Sequence, residues 1–185
     1  MRISTFILII FLFLTNEIKA GSKNQILENL RNGGNLIFIR HAYAPGSGDP
    51  DNFDLNDCST QRNLNNSGKE QSKKIGNFFN EKKIPVDLVI SSEWCRCKET
   101  ALIAFNNFET KNFLNSFYSS KFAKNKNIQM KKLQDYINNW KSDKNLVLIT
   151  HYVVINEVLD YAPNSGEIII SDINFKIKGN IKIDF

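Results

Sequence analysis

The chain contains only two histidines, and each lies at the end of a short apolar run. Residues 36–39 lead into Arg40 and His41, and residues 146–149 lead to His151. Short apolar runs of this kind predict buried strands. An imidazole can act as a covalent nucleophile or carry a proton near neutral pH. The two histidines are therefore candidate catalytic residues.

Arginines complete this candidate set. Arg96 follows a third apolar run, residues 86–90, and lies in the first turn of a predicted helix at 95–105. Ligands of α/β sheets bind at the carboxyl ends of the strands, so we expect one site to hold both histidines and both arginines. Guanidinium groups bind phosphate oxygens in pairs and stabilise the transition state of phosphoryl transfer. The residues predict phosphoryl transfer on a histidine nucleophile.

Helical patterns alternate with these apolar runs, which predicts an α/β fold with a central sheet covered on both faces. Further helices are expected at 24–32, 129–140 and 153–159, and another is expected to begin after Asn65 as its cap. A polar loop rich in glycine and proline occupies residues 42–63, and loops of this length are often functional. Strands are also predicted at 168–170, 173–177 and 181–185, the last two as a hairpin around Gly179 and Asn180.

The first twenty residues have the pattern of a secretory signal peptide. Arg2 supplies a positive charge, residues 6–14 are an unbroken apolar run, and Ala20 suits signal peptidase. We therefore predict a signal peptide at 1–20 and a single mature domain at 21–185, located in the periplasm or secreted. The alternative is an uncleaved membrane anchor, although nine apolar residues are too few to span a bilayer. No membrane span is expected after signal removal.

The three cysteines are Cys58, Cys95 and Cys97. An exported protein meets an oxidising compartment, so one disulfide and one free thiol are expected. We predict a Cys58–Cys95 bridge, because it would pin the long loop against the phosphate site. A zinc site is the alternative, but the spacing of Cys95 and Cys97 is tighter than usual for zinc ligands. No metal and no cofactor are predicted.

The formal net charge of +5 favours anionic ligands. The excess is too small and too scattered to indicate nucleic-acid binding. The expected partner is a small phosphorylated substrate.

Four sequence blocks resemble the motifs of the histidine phosphatase (phosphoglycerate mutase-like) superfamily, and they occur in that family's order. Residues 38–42 resemble its Arg-His-Gly signature, and residues 64–71 its Leu-Thr-x-x-Gly-x-x-Gln helix entry. Residues 91–101 resemble its Ser-x-x-x-Arg-x-x-x-Thr-Ala block, and residues 148–151 its Thr-His motif.

This resemblance implies a three-layer α/β/α sandwich with a mostly parallel central sheet. It also implies that His41 becomes phosphohistidine. By position, the residues that would bind the phosphoryl group are Arg40, Arg96 and His151.

The chain departs from the family pattern at three places. Ala42 and Tyr152 replace glycines that usually follow the two histidines, and Tyr152 is expected to narrow the pocket. No carboxylate occurs at 114–116, near the family's usual acid. Glu93 is a candidate proton donor, although a role as a surface residue or as a partner of Arg96 is an equal alternative. The weaker candidates are Asp49, Asp51, Asp54 and Glu109.

Residues 57–64, 94–96 and 165–168 resemble exported bacterial members of this superfamily, which include lipopolysaccharide-core heptose phosphatases. This implies a cell-envelope phosphate ester as substrate, with Arg62 and Glu167 as residues that line the pocket or support the structure. Two other functions stay open at this point. One is a catalytically weak module that binds a phosphate ligand, and the other is a phosphomutase of the same fold.

Overall fold

The computed structural model of the chain describes residues 23–184, and this part contains one six-stranded sheet. The strand order across the sheet is β3-β2-β4-β1-β5-β6. The strands are β1 (Leu36–Arg40), β2 (Val86–Ser91), β3 (Glu109–Thr110), β4 (Asn145–Thr150), β5 (Ile168–Ser171) and β6 (Ile177–Ile181).

The first four strands are parallel to one another. β4 lies at the centre and pairs in parallel with both β1 and β2, while β3 pairs in parallel with β2. β5 is antiparallel to β1, and β6 is antiparallel to β5. The parallel arrangement brings the carboxyl ends of β1, β2 and β4 to the same edge of the sheet.

Helices cover both faces of the sheet. Two short 3-10 turns, Cys58–Thr60 and Asn112–Leu114, lie in the connections. The helices are α1 (Lys23–Asn32), α2 (Asn66–Glu81), α3 (Cys95–Phe105), α4 (Ser120–Ala123), α5 (Lys126–Asn139) and α6 (Tyr152–Leu159).

Alternating side chains of the strands divide the core into two layers. In β1, Ile37 and Ile39 pack in the cluster that includes residues of α1, α2 and α3. Leu36 and Phe38 point the other way and pack with residues of α5 and α6. Successive residues of a strand face opposite sides of its sheet, so a strand buried on both faces is apolar throughout. The predicted three-layer α/β/α sandwich with a mostly parallel sheet is confirmed.

Several predicted element boundaries agree with the structure. α3 spans the predicted residues, and the side chain of Asn65 caps α2 by accepting a hydrogen bond from the Gly68 N–H at 3.0 Å. Gly76 lets α2 approach α3 closely, because a Cβ there would overlap the backbone of Ala104. The two helices are therefore in close contact near the carboxyl end of α3.

The predicted hairpin at the end of the chain is wrong. The turn lies at 172–176, where Asp172 Oδ1 accepts hydrogen bonds from the N–H groups of Asn174 and Lys176, both at 2.9 Å. Gly179 lies inside β6, and a Cβ at this position would meet the side chain of Ile26. Its glycine therefore serves close packing against α1 and does not form a turn.

The predicted signal peptide lies outside the described residues, as does the predicted mature start at Gly21. Within residues 23–184, no helix has both the length and the apolar character needed to cross a membrane.

Candidate active site

The candidate residues converge at the edge where the parallel strands end. Arg40 is the last residue of β1, His151 follows β4, and Arg96 lies in the first turn of α3 after β2. The N–H of His41 donates to the carbonyl of Thr150 at 2.9 Å, which ties the ends of β1 and β4 together. The two imidazole ring centres lie 5.5 Å apart.

The backbone after His41 is held by the α2 and α3 helices. The N–H of Ala42 donates to Thr100 Oγ1 at 3.1 Å, and the N–H of Tyr43 donates to Gln71 Oε1 at 2.9 Å. A Cβ at Gly68 would overlap the carbonyl oxygen of Tyr43, so glycine is required there. The glycine and glutamine of the second sequence block therefore act by positioning the segment that carries His41.

Hydrogen bonding fixes the tautomer of His41. Its Nδ1 lies 2.8 Å from the carbonyl oxygen of Ala42. A carbonyl can only accept, so Nδ1 carries the proton and Nε2 keeps its lone pair. The Nε–H of Arg96 donates to this Nε2 at 3.2 Å. The lone pair that a nucleophile needs is thus held beside a guanidinium group.

The pKa of His41 is held well below its ordinary value, so the imidazole is neutral at neutral pH. Burial is the largest cause, and the positive charge of Arg96 comes next. Arg40 contributes less. Loss of solvent on burial therefore lowers this pKa more than repulsion by either arginine.

A chain of hydrogen bonds orients His151. Ser92 Oγ donates to Asn115 Oδ1 at 3.0 Å, so it accepts the proton of His151 Nε2 at 2.9 Å. His151 Nδ1 therefore carries a lone pair, and it lies 3.5 Å from Arg96 Nη2. The pKa of His151 is also well below its ordinary value because of burial and then the charge of Arg96.

Glu93 takes part in this chain at its far end. Its Oε2 accepts a hydrogen bond from Asn115 Nδ2 at 2.6 Å, and its N–H donates to Asn115 Oδ1 at 2.9 Å. Glu93 is not among the described side chains that line the cavity at the two histidines. In this conformation it reaches His151 only through Asn115 and Ser92.

All five N–H donors of Arg96, which is 3% exposed, have an acceptor. Two of these donors, on Nε and Nη2, face the imidazoles of His41 and His151. A third, on Nη1, binds the carbonyl of Arg62 at 3.2 Å. The remaining two donors bind Asp49, with Nη1 to Oδ1 at 2.7 Å and Nη2 to Oδ2 at 3.1 Å. Burial alone would raise the pKa of Asp49, but the hydrogen bonds and charge of Arg96 outweigh it, so the pKa is lowered. This ion pair is not evident from the sequence, where Asp49 is one of several acidic residues in the loop.

Arg40 has an unsatisfied donor. Its Nη1 donates to the carbonyl of Pro163 at 2.9 Å, while its buried Nε has no partner among the described residues. The guanidinium carbon lies 5.8 Å from the ring centre of Tyr152. Arg40 thus retains an unused hydrogen-bond donor.

The site opens into a cavity of about 390 Å³. Arg40, Arg96 and the two histidines lie on it together with Arg62. Five aromatic side chains also line the cavity, and they are Phe53, Trp94, Tyr118, Phe122 and Tyr152. Two of them, Phe53 and Trp94, stack with ring centres 5.0 Å apart.

The long loop after His41 is fastened by the predicted disulfide. Cys58 and Cys95 are bonded and Cys97 is free, as predicted. Arg62 holds the loop from inside, because its Nε donates to the carbonyl of Gly48 at 2.8 Å. The Cys97 thiol is buried beside His151, and burial raises its pKa to about 12.

Glu167, the other residue named from the resemblance, supports the structure beside the site. Its carboxylate accepts hydrogen bonds from Tyr161, Asn164 and Asn180. Its carbonyl accepts from the N–H of Arg40 at 3.3 Å, which joins the start of β5 to the end of β1.

Comparison with solved structures identifies the architecture. The protein histidine phosphatase SixA complexed with tungstate superposes with a TM-score of 0.56 at 15% identity, covering 80% of this chain and 96% of that one. The product of open reading frame Rv3214 from Mycobacterium tuberculosis gives 0.57 at 15% identity, with 83% and 98% covered. TTHB049 from Thermus thermophilus gives 0.58 at 14% identity, with 80% and 98% covered.

The chain has the histidine phosphatase fold. No protein-family model matches the sequence, and no curated protein matches it at a significant level. At these identities the likeness shows the fold alone, because one fold hosts many functions.

Proposed function

We propose that this protein is a phosphatase that hydrolyses a small phosphate monoester through a phosphohistidine on His41. The observation that carries the proposal is the state of His41. Its imidazole is buried and neutral, Nδ1–H is fixed on the Ala42 carbonyl, and the Nε2 lone pair lies beside the Arg96 guanidinium. A neutral imidazole with an oriented lone pair is what attack on phosphorus requires.

In the first step, Nε2 forms a bond to phosphorus while the ester P–O bond breaks and the leaving oxygen takes up a proton from solvent. The Ala42 carbonyl stabilises the positive charge that develops on the ring through its hydrogen bond to Nδ1–H. Arg40 and Arg96 donate hydrogen bonds to the phosphoryl oxygens as charge accumulates on them. His151, whose Nε2 proton is held by Ser92, joins them when the charge of the phosphoryl group drives a proton onto its Nδ1. In the second step, water attacks phosphorus and the N–P bond breaks, which releases inorganic phosphate, returns a proton to solvent and restores the neutral imidazole.

The fold supports this proposal. SixA, which shares the architecture, is a protein histidine phosphatase and binds tungstate, an oxyanion that resembles phosphate. The cavity of about 390 Å³ has room for a phosphoryl group and a small leaving group beyond it.

Export is part of the proposal. The signal-like pattern of residues 1–20 and the Cys58–Cys95 disulfide both favour an oxidising compartment outside the cytoplasm. A small phosphate ester of the cell envelope is then the substrate to test first, including the phosphorylated lipopolysaccharide-core heptoses suggested by the sequence resemblance.

The test is to trap the intermediate. Wild-type protein mixed with a phosphorus-labelled aryl phosphate and quenched should carry label that is labile in acid and stable in base, mapped to His41. His41→Ala should lose turnover by a factor on the order of 10³ or more, because the reaction loses its nucleophile. Far-ultraviolet circular dichroism should show an unchanged fold. Label on another residue, or near-full activity of His41→Ala, would overturn the proposal.

A catalytically weak phosphate-binding module is the second candidate. It is favoured by Glu93, which is hydrogen-bonded to Asn115 and not exposed on the cavity. An aryl phosphate needs little help from an acid, so a stoichiometric burst of phenolate release would support the phosphatase. Phosphate binding without such a burst would support the binding module.

A further inference from the structure

Arg96 holds an anion of the chain itself at the place where the proposed substrate must bind. Its five N–H donors are all engaged, and two of them bind the Asp49 carboxylate in a bidentate pair. A phosphoryl group can bind Arg96 only by replacing one of the present acceptors.

Asp49 is the acceptor that can leave. The other three are His41 Nε2, His151 Nδ1 and the Arg62 carbonyl, which belong to buried rings or to the backbone. Besides Arg96, the Asp49 carboxylate is held by the N–H of Arg62 at 3.1 Å and the indole of Trp94 at 3.2 Å. The Asp49 side chain is 17% exposed and lies on the wall of the cavity. It is carried by a loop in which Gly46 and Gly48 have positive φ angles, a conformation that glycine adopts readily.

We propose that Asp49 is a specificity-determining residue: its carboxylate occupies the phosphoryl position on Arg96, and dianionic ligands displace it far better than monoanionic ones. The proposal rests on the phosphatase function, and it assigns that site to phosphate monoesters in the dianionic form. Diesters and sulfate monoesters, which carry one negative charge at their ester group, are the ligands it selects against.

The selection follows from the charges exchanged. When a monoanion replaces Asp49, the Arg96 guanidinium still faces one negative charge, so the gain in electrostatic energy is small. A dianion brings a second charge, and this charge also attracts Arg40, whose buried Nε has no partner among the described residues. Discrimination therefore arises from the cost of removing the resident anion as well as from the new contacts.

The experiment compares two non-hydrolysable ligands that differ in charge. Phenylphosphonate is a dianion at pH 8.5, and its monomethyl ester is a monoanion. Isothermal titration should show that wild-type protein prefers the dianion. In Asp49→Asn, affinity for the monoanion should rise by about ten-fold or more and the preference for the dianion should fall correspondingly.

Two further variants separate this role from support of the loop. Asp49→Glu keeps the charge and should keep most of the preference, whereas Asp57→Asn removes an exposed charge of the same loop that does not lie on the cavity and should leave the preference unchanged. Equal preferences in Asp49→Asn and wild type, weaker binding of both ligands to Asp49→Asn, or an Asp57→Asn effect as large as that of Asp49→Asn would overturn the proposal.

The indole of Trp94 gives an independent readout of displacement, because its Nε1 donates to Asp49 Oδ2 at 3.2 Å. In a Trp140→Phe background, where Trp94 is the remaining tryptophan, phenylphosphonate should change the emission spectrum more than it does in Trp140→Phe/Asp49→Asn, where the ligand enters the cavity but no carboxylate leaves the indole. Equal changes in the two backgrounds would contradict displacement. All of these measurements concern binding, so they remain decisive whether or not His41 is phosphorylated.

Discussion

At the scale of single residues, the two histidines are held in opposite tautomers by their neighbours. His41 gives its Nδ1 proton to the Ala42 carbonyl, and His151 gives its Nε2 proton to Ser92 Oγ. Each ring therefore presents a lone pair to Arg96. The serine can accept because its own proton is committed to Asn115.

We predict that Ser92→Ala lowers kcat by about ten-fold with a smaller change in KM, because His151 loses the partner that fixes its tautomer. Steady-state kinetics with an aryl phosphate, measured across pH, should also show a shifted acidic limb. Ser91→Ala is the matched control, since Ser91 is equally buried but donates to the Ser92 carbonyl and not to an imidazole. Equal losses in the two variants would indicate a packing effect alone.

At the scale of elements, a disulfide and several hydrogen bonds hold the loop at 42–63 in place. The disulfide ties its Cys58–Thr60 turn to the first residue of α3. Close to the bond, the N–H of Cys95 donates to Gln61 Oε1 at 2.9 Å. Arg96 is the next residue, so the loop and the start of α3 are positioned together.

We predict that Cys58→Ser lowers the free energy of unfolding by about 3–4 kcal/mol, because the bond closes a segment of 37 residues. Urea denaturation of wild type and variant, with and without reductant, measures the loss. Ser59→Ala, in the same turn, should change stability by only a few tenths of a kcal/mol. If reductant destabilised Cys58→Ser as much as wild type, the effect would not come from this bond.

Elements with local sequence signals were predicted, whereas features that depend on tertiary packing were not. Apolar runs predicted the central strands and the Asn65 cap predicted the start of α2, because both signals depend on residues close together in the chain. The Gly179-Asn180 pair has turn composition, but packing against Ile26 of α1 places it inside β6. The pairing of Asp49 with Arg96 depends on how the loop folds back, and this was not predictable from local composition.

At the scale of the whole molecule, two neutral histidines are buried in the folded state. Their pKa values are well below the ordinary value of 6.5 to which they return on unfolding. Below about pH 6.5 both histidines therefore bind protons in the unfolded chain but stay neutral in the folded chain. Stability from these groups is present above this pH and is lost as the pH falls towards their folded pKa values.

We predict a fall in the free energy of unfolding of up to about 2.7 kcal/mol per pH unit below pH 6.5. Urea denaturation at pH 7.5, 6.5 and 5.5 measures this dependence. The double variant His41→Gln/His151→Gln should have a much flatter profile in this range. Asp49 does not contribute here, since its lowered pKa keeps it ionised in this range. Equal stability of wild type at pH 7.5 and 5.5 would contradict the prediction.

The buried thiol of Cys97 makes the core accessible to labelling experiments. With its pKa raised to about 12 and no exposed surface, it is inert while α3 is packed. A thiol reagent can therefore react only during transient openings. When reclosing is fast, the labelling rate reports the equilibrium between closed and open forms, as amide hydrogen exchange does. The protein thus carries its own chemical reporter of local opening, one residue away from Arg96.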